Sequence, residues 1–325
     1  MSLRIIRKGL LDTIQDGGRF GFQHLGINPG GVSDPVAHYV ANALVGNVAG
    51  EPVLEMHYPA PQIQFLTDCM IAISGANFTP LLNDTDVEND CTILIKAGSI
   101  LRFAGQVWGV CACLAVRGGF AVKPWLASKS TNLKAGAGGF AGRALLTGDV
   151  LPFANSLPNH LGGKSGAGSW RANVSALYNR GNIRCVAGAE YDLLTPAARQ
   201  NLDRGSFAIT GRSDRMGYQL EGPPLSVQVD TSLISTGVTG GTIQLLPNGR
   251  LIVLMADHQT TGGYPRIAHV IRADLPSLAQ KRAGEAVQFE FVDIATAEQA
   301  LLIQHRHLLQ LKNACNFRLA AAFGN

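Results

Sequence analysis

The sequence has little charge and no long apolar run. Only 15% of its 325 residues are charged, the formal net charge is +4, and no run of Lys and Arg occurs, so it has no electrostatic signature of nucleic-acid binding. No apolar stretch approaches the length that crosses a bilayer. The N-terminus has charged residues where a signal peptide needs an uninterrupted apolar core. We therefore expect a cytoplasmic protein that binds neither nucleic acid nor membrane.

Paired cysteines and nucleotide-binding glycine loops are also missing. The six cysteines include no CxxC pair, and Cys111 with Cys113 lacks a nearby histidine, so buried apolar roles and no metal are expected. Residues 163–165 (GKS) resemble the end of a P-loop, yet Pro158 stands where its first glycine should be. The glycines of 136–142 lack the spacing of a dinucleotide-binding loop. We expect this chain to bind no cofactor itself, and any ATP to be held by a partner.

The most informative segment that is present is LIVLMADHQTTGGYPR, residues 251–266. Its five leading apolar residues predict a strand buried on both faces. Five hydrogen-bonding side chains then follow, from Asp257 to Thr261. The double glycine Gly262 and Gly263 allows a sharp turn or the close approach of a ligand. This density of polar groups at a strand end indicates a binding site, although a well-bonded hairpin turn is the simpler alternative.

Similar landmarks recur earlier in the chain and indicate an internal duplication. Residues 98–120 and 241–264 each contain a glycine followed by a short strand, then an apolar run, then a double glycine and an aromatic residue. A strand that ends in a hydroxyl and a glycine precedes each copy, at 71–76 and 207–212. The duplication predicts two halves related by an approximate two-fold axis, with a ligand cleft between them.

Strands dominate the expected secondary structure, and the helices are recognisable by their caps. Asp34 or Ser33 before Pro35 opens one helix, Thr195 before Pro196 opens a second, and Asp274 precedes a short third helix. Thr296 with Gln299 predicts a capping box for a C-terminal helix. The fold class is therefore mainly β, of barrel or sandwich type. We expect a first half at 1–155, a connection at 156–181 and a second half at 182–325.

Five long blocks resemble the signature sequences of the KipA and allophanate-hydrolase-subunit-2 family: 9–27, 30–47, 130–149, 211–222 and 259–268. The resemblance implies two tandem cyclophilin-like β-barrels. A free-standing chain of this length is most similar to the 5-oxoprolinase branch of the family. That similarity implies a hydrolase subunit, inactive alone, that opens 5-oxoproline to L-glutamate with partner subunits A and B, one of them KipI-like, at the expense of ATP.

Two other functions occur among relatives of this kind. One is a biotin-dependent carboxyltransferase component, as in urea carboxylase, for which the biotin carrier must be another protein because this chain has no MKM attachment sequence. The other is a non-catalytic regulator of a kinase-inhibitor partner. The family usually has an Arg and a Tyr where this chain has Cys111 and Cys113, and a Gly where it has Ala127. This difference favours a site in the second half.

Opening a cyclic amide requires a polarised carbonyl, a held carboxylate and a delivered water. A guanidinium suits a carboxylate, and amide, hydroxyl and backbone N–H groups suit a developing oxyanion. The candidate catalytic residues are Asp257, Gln259 and Asp214. The candidate substrate-binding residues are Arg215, Tyr218, Thr260, Thr261, Gly262, Gly263, Tyr264 and Arg266. Additional candidates are Asp16, Arg19, Arg117 and Arg143. Asp16 with Arg19, and Asp214 with Arg215, are equally interpretable as structural pairs.

Overall fold

The computed structural model describes residues 1–155, 166–178, 181–228 and 233–323. Much of the expected connection at 156–181, with the P-loop-like residues 163–165, lies outside the described residues. The chain forms two compact units. Unit 1 comprises Met1–Arg19, Asp34–Leu177 and Arg306–Asn325, and unit 2 comprises Phe20–Ser33 and Tyr178–His305. Each unit therefore includes a segment from the opposite end of the chain.

Unit 1 contains antiparallel strands, an internal helix and the C-terminal part of the last helix. The strands are β1 (Ser2–Arg7), β2 (Asp12–Gln15), β3 (Val53–His57), β4 (Gln62–Phe65), β5 (Cys69–Asn77), β6 (Pro80–Leu82), β7 (Thr85–Asp86), β8 (Cys91–Ile95), β9 (Ile100–Phe103), β10 (Trp108–Val116), β11 (Val150–Pro152) and β12 (Gly166–Arg171). One sheet has the order β11-β1-β4-β9-β6-β7, and the other has the order β12-β8-β5-β10-β3-β2.

The apolar run of β10 is the centre of the second of these sheets. Its side chains from Cys111 to Val116 are fully buried, because β3 and β5 flank the strand and α1 (Pro35–Leu44) packs over it. The carboxylate of Asp34 accepts hydrogen bonds from the backbone N–H groups of Val36 and Ala37, both at 2.9 Å, which confirms Asp34 as the predicted N-cap.

Unit 2 has its own apolar core beneath a larger sheet. The elements are β13 (Ile183–Ala187), α2 (Pro196–Arg204), β14 (Phe207–Ile209), β15 (Gly217–Glu221), β16 (Thr236–Gly237), β17 (Thr242–Leu245), β18 (Leu251–Leu254), β19 (Thr261–Gly262), β20 (Arg266–Val270), α3 (Leu275–Ala279), β21 (Ala286–Val287) and β22 (Phe289–Phe291). The order of the sheet is β21-β14-β15-β18-β17-β20-β13-β22, and β16 pairs with β19 in a separate two-stranded sheet. Leu251, Val253 and Leu254 are fully buried, whereas Ile252 is half-buried and the strand ends one residue earlier than predicted.

The final helix, α4 (Ile294–Phe323), begins three residues earlier than the predicted capping box requires. The Asp293 side chain accepts the backbone N–H of Thr296 at 2.7 Å, so Thr296 lies inside the helix and the predicted Thr296–Gln299 capping box is wrong. The division between the two units falls within this helix, between His305 and Arg306. In the described part of the chain, no helix is both long and apolar enough to cross a membrane.

The mainly β class with few helices and a C-terminal helix is confirmed. All six cysteines are buried, as expected for small apolar residues. The landmarks of the sequence repeat fall on strands with different neighbours: β10 lies between β5 and β3, whereas β18 lies between β15 and β17. The duplication therefore stays a prediction from the sequence.

Candidate functional site

The predicted polar segment lies in unit 2, where it follows β18 and leads through β19 into β20. β15 pairs with β18, and this pairing brings the loop before β15 next to the end of β18. The backbone N–H of Met255 donates to the carbonyl oxygen of Met216 at 3.0 Å, and that of Asp257 donates to the carbonyl oxygen of Arg215 at 2.7 Å. The loop that contains Asp214 and Arg215 therefore lies beside the segment 257–266. Most of the candidate residues belong to these two stretches.

Arg215 is bonded to Asp257 by two hydrogen bonds. Its Nε lies 2.8 Å from Oδ2 of Asp257, and its Nη2 lies 3.2 Å from Oδ1. The same guanidinium donates to Ser33 Oγ at 2.7 Å and to the carbonyl oxygen of Gly31 at 2.5 Å. Only 7% of the Arg215 side chain is exposed, so its geometry is that of a buried structural anchor. Asp214 is exposed and accepts the backbone N–H groups of Met216 and Gly217, which shapes the turn.

Arg266, the second candidate for binding a substrate carboxylate, is also bonded to a carboxylate of the protein. Its Nε donates to Glu190 Oε2 at 2.8 Å, and its Nη2 donates to Oε1 at 2.5 Å. These hydrogen bonds hold the pKa of Glu190 below its ordinary value. A substrate carboxylate at Arg215 or Arg266 must therefore compete with a protein carboxylate. Glu190 has no sequence signal, because it precedes Arg266 by 76 residues.

Two glutamine amides meet beneath β19. Gln244 on β17 is fully buried, and its Oε1 accepts a hydrogen bond from Gln259 Nε2 at 3.4 Å. Gly262 lies directly against it, since a Cβ at that glycine would fall 2.5 Å from Gln244 Nε2. Sequence reasoning predicts Gln259 and Gly262 as site residues but misses Gln244. The one available signal for Gln244 is an amide between the apolar residues Ile243 and Leu245 of the strand TIQL.

Two histidines accompany these amides. His258 is 3% exposed and donates through Nδ1 to the carbonyl oxygen of Gln259 at 2.6 Å. Burial lowers the pKa of His258, and burial together with the nearby His258 lowers the pKa of His269. His269 Nδ1 lies 3.3 Å from Thr242 Oγ1. Both imidazoles are therefore neutral near pH 7 and can accept protons. Sequence reasoning does not select His269.

The remaining candidates of unit 2 have mixed exposure. Thr261 is exposed, Tyr264 is 45% exposed, and the carbonyl oxygen of Thr260 accepts the N–H of Val238 at 3.0 Å. At Gly263 an added Cβ would lie 3.3 Å from the carbonyl oxygen of Leu233. Tyr218 packs against the core and donates its hydroxyl to the carbonyl oxygen of Ala279 at 3.1 Å. Tyr218 therefore has a structural role, whereas the exposed Thr261 and Tyr264 are accessible to a ligand.

The additional candidates lie in unit 1. Asp16 is almost fully buried and accepts hydrogen bonds from Ser130 Oγ at 2.6 Å and Ser128 Oγ at 2.7 Å. Burial alone would raise the pKa of Asp16, but these bonds, with two from backbone N–H groups, hold it below its ordinary value. Arg19 donates to the carbonyl oxygen of Ser130, and its guanidinium lies 4.8 Å from the ring centre of Trp125. Ser128 and Ser130 join this network without having been predicted.

The last two arginines of unit 1 have local contacts. Arg143 forms a two-point ion pair with Asp149 at 2.7 and 2.8 Å, which fixes the loop before β11. Arg117 Nη1 lies 4.0 Å from Met70 Sδ. Among the described residues, no group of three or more His, Cys, Asp or Glu side chains has an arrangement suited to a metal ion.

A family model described as "Carboxyltransferase domain, subdomain A and B" matches residues 25–291. The chain is 40% identical to the C subunit of 5-oxoprolinase from Escherichia coli K12, over 95% of this chain and 97% of that protein. It is 35% identical to the same 5-oxoprolinase component of Haemophilus influenzae, over 93% and 96% respectively. It is 27% identical to urea amidolyase of Lachancea kluyveri, over 92% of this chain and 17% of that protein.

Solved structures give the same picture of the fold. The crystal structure of TTHA0988 matches with a TM-score of 0.77 and 34% identity, over 89% of this chain and 56% of that chain. Urea amidolyase of K. lactis matches with a TM-score of 0.87 and 25% identity, over 95% of this chain and 20% of that chain. The chain thus spans about half of TTHA0988 and a fifth of the amidolyase.

Proposed function

The chain belongs to the carboxyltransferase domain A and B family, and from this membership we propose that it is a subunit of an ATP-dependent 5-oxoprolinase. In this proposal it opens 5-oxoproline to L-glutamate together with partner subunits A and B, and it is inactive alone. The main support for this proposal is the 40% identity to the C subunit of a 5-oxoprolinase over 95% of this chain and 97% of that protein. The near-complete coverage of both chains supports a shared role.

The proposed reaction determines which chemical groups the site must provide. Water adds to the C5 carbonyl carbon of 5-oxoproline, the ring C–N bond breaks, and the nitrogen takes a proton to become the amino group of glutamate. Negative charge develops on the carbonyl oxygen, and hydrogen-bond donors lower the barrier by stabilising it. Hydrolysis of ATP, which we place on a partner subunit, drives the opening. No cofactor is assigned to this chain.

The neutral groups around β19 suit this reaction better than the arginines. Gln259 and the backbone N–H group of Gly263 are the donors we assign to the carbonyl oxygen, since the N–H of Gly262 faces β16 in the strand pairing. His258 and His269, kept neutral by burial, are the proton acceptors we assign. Asp257 orients Arg215 through its two hydrogen bonds, so it serves as a positioning residue in this scheme.

Reconstitution tests the proposal. The chain is mixed with subunits A and B, 5-oxoproline and MgATP, and glutamate is measured with each protein left out in turn. Glutamate release that requires all three proteins supports the proposal. The absence of release from the complete mixture, with the partners shown to bind, rejects it.

A second function, biotin-dependent carboxyl transfer, is supported by the structural match to urea amidolyase. The TM-score of 0.87 is high for a sequence identity of 25%. In that alternative the same site accepts a carboxyl group from biotin on a separate carrier. Avidin distinguishes the two functions, because it sequesters biotin. Activity that persists with avidin supports the 5-oxoprolinase, whereas avidin-sensitive carboxyl transfer supports the carboxyltransferase.

A further inference from the structure

Gln244 is a fully buried amide with an unused hydrogen-bond donor. It lies on β17, between β18 and β20, in the interior of the large sheet of unit 2. Its Oε1 accepts from Gln259, which fixes the orientation of the amide group. Its Nε2 is buried and has no hydrogen-bond partner within the described residues. An unpaired buried donor destabilises a fold, so its presence in the middle of a sheet requires a compensating role.

The short strand β19 lies directly over this donor. The main chain at Gly262 lies against Nε2, and any side chain there would collide with it, because the added Cβ would be 2.5 Å away. β19 is paired by two residues to β16 and by one further bond, from the N–H of Val238 to Thr260. Thr261, Thr236 and Gly237 are exposed. A small outward movement of this strand therefore opens Nε2 to a ligand.

We propose that Gln244 recognises the carbonyl oxygen of the substrate amide through its Nε2 N–H group when β19 moves outward. The inference rests on the proposed function and deepens it. Besides the donor role assigned to it above, Gln259 keeps the donor side of Gln244 turned towards Gly262. A neutral amide donor in a buried setting suits the oxygen of a cyclic amide and stabilises the charge that develops on it. The substrate carboxylate is held elsewhere in this arrangement.

The test compares Gln244→Met with the wild-type chain in the complete complex with subunits A and B. Methionine keeps the size of the side chain and removes the unpaired donor. We expect kcat/KM for 5-oxoproline to fall on the order of 100-fold. The Tm of the chain should stay constant or rise by about 2–4 °C, because a buried unpaired group is gone. Gln219→Met, on β15 of the same sheet, is the matched control and should change neither quantity.

A merely structural role for Gln244 makes the opposite prediction for stability. A Gln244→Met chain that loses Tm and activity together overturns the assignment, as does one whose kcat/KM stays within about twofold of the wild type. Gln244→Glu, which replaces the donor by an acceptor, should lose activity equally, and retained activity in that variant also overturns it.

Binding to the chain alone gives a readout that does not depend on turnover. Calorimetric titration with 5-oxoproline should show a Kd for Gln244→Met about tenfold weaker than for the wild type. An unchanged Kd overturns the assignment of Gln244. A wild-type complex that binds 5-oxoproline through Gln244 but releases no glutamate overturns the proposed function instead. The two failures are therefore distinguishable.

Discussion

Asp257 and Arg215 are joined through both their side chains and their main chains. Arg215 donates two side-chain hydrogen bonds to the carboxylate, at 2.8 and 3.2 Å, and its carbonyl oxygen accepts the backbone N–H of Asp257 at 2.7 Å. The same guanidinium also donates to Ser33 Oγ and to the carbonyl oxygen of Gly31. One side chain thus connects the end of β18, the loop before β15 and the N-terminal segment of unit 2.

Replacing Asp257 by Asn should destabilise unit 2. The change removes a carboxylate that accepts two hydrogen bonds from the buried guanidinium of Arg215, so we expect the free energy of unfolding to fall by about 2–3 kcal/mol. Urea denaturation measures it. Glu221→Gln is the matched control, because its ion pair with Arg250 is 40–59% exposed and should contribute less than about 1 kcal/mol. Equal losses in both variants would contradict the anchoring role of Asp257.

The ion pair between Glu190 and Arg266 should appear in the pH dependence of stability. Arg266 lowers the pKa of Glu190 from its ordinary 4.5, so the folded state favours the ionised carboxylate. The stabilisation is then fully present above about pH 4.5 and is lost as the pH falls through the lowered pKa. The difference in unfolding free energy between wild type and Glu190→Gln should shrink below about pH 4.5. A difference that stays constant between about pH 3 and pH 7 would rule out this linkage.

Local signals predict the helices and much of the polar segment. Asp34 and Thr195 are recognisable as caps because the capping bond spans two or three residues, which is visible in the sequence. The same reasoning fails at Thr296, because Asp293 three residues earlier takes the N-cap position. The candidate residues of 257–266 do lie beside those of the loop before β15, since β15 and β18 are neighbours in the sheet.

Pairing over long distances is not visible in the sequence. The sequence predicts that Arg215 and Arg266 bind a substrate carboxylate, yet their partners Asp257 and Glu190 lie 42 and 76 residues away. Sheet register decides such pairs, and register follows from packing of the whole unit. Gln244 escapes prediction for the same reason, because its importance comes from burial beneath Gly262 and not from a local pattern.

Asp12 should lower the stability of unit 1 as the pH rises. Its carboxyl is 1% exposed, and burial raises its pKa from 3.8 to about 7. The folded state therefore holds a proton that the unfolded chain releases, and stability falls between about pH 4 and pH 7 and then levels off.

Asp12→Asn removes this dependence and keeps an oxygen for the N–H of Gly9, which donates to Asp12 at 2.6 Å. Unfolding free energies of both chains, measured across this range, should diverge in favour of the Asn variant as the pH increases. Parallel curves would show that burial does not raise the pKa of Asp12.

Gly262→Ala should destabilise unit 2, because the added Cβ would collide with Gln244. Gly237→Ala, on the paired strand β16, should leave the stability nearly unchanged. A Cβ at Gly262 would lie 2.5 Å from Gln244 Nε2, whereas a Cβ at Gly237 meets no atom within 4 Å. We expect losses of about 1–3 kcal/mol for Gly262→Ala from overpacking, and changes within about 0.5 kcal/mol for Gly237→Ala.

A double-mutant cycle identifies the colliding atom. In the Gln244→Ala background the space beside residue 262 is vacated, so Gly262→Ala should lose most of its cost, which urea denaturation of the four chains measures. The backbone of β19 is extended at Gly262, so a steric cause is the one expected. If Gly262→Ala lowers the unfolding free energy equally in both backgrounds, a neighbour other than Gln244 requires glycine at this position. Gln244 would then not explain why β19 has no side chain there.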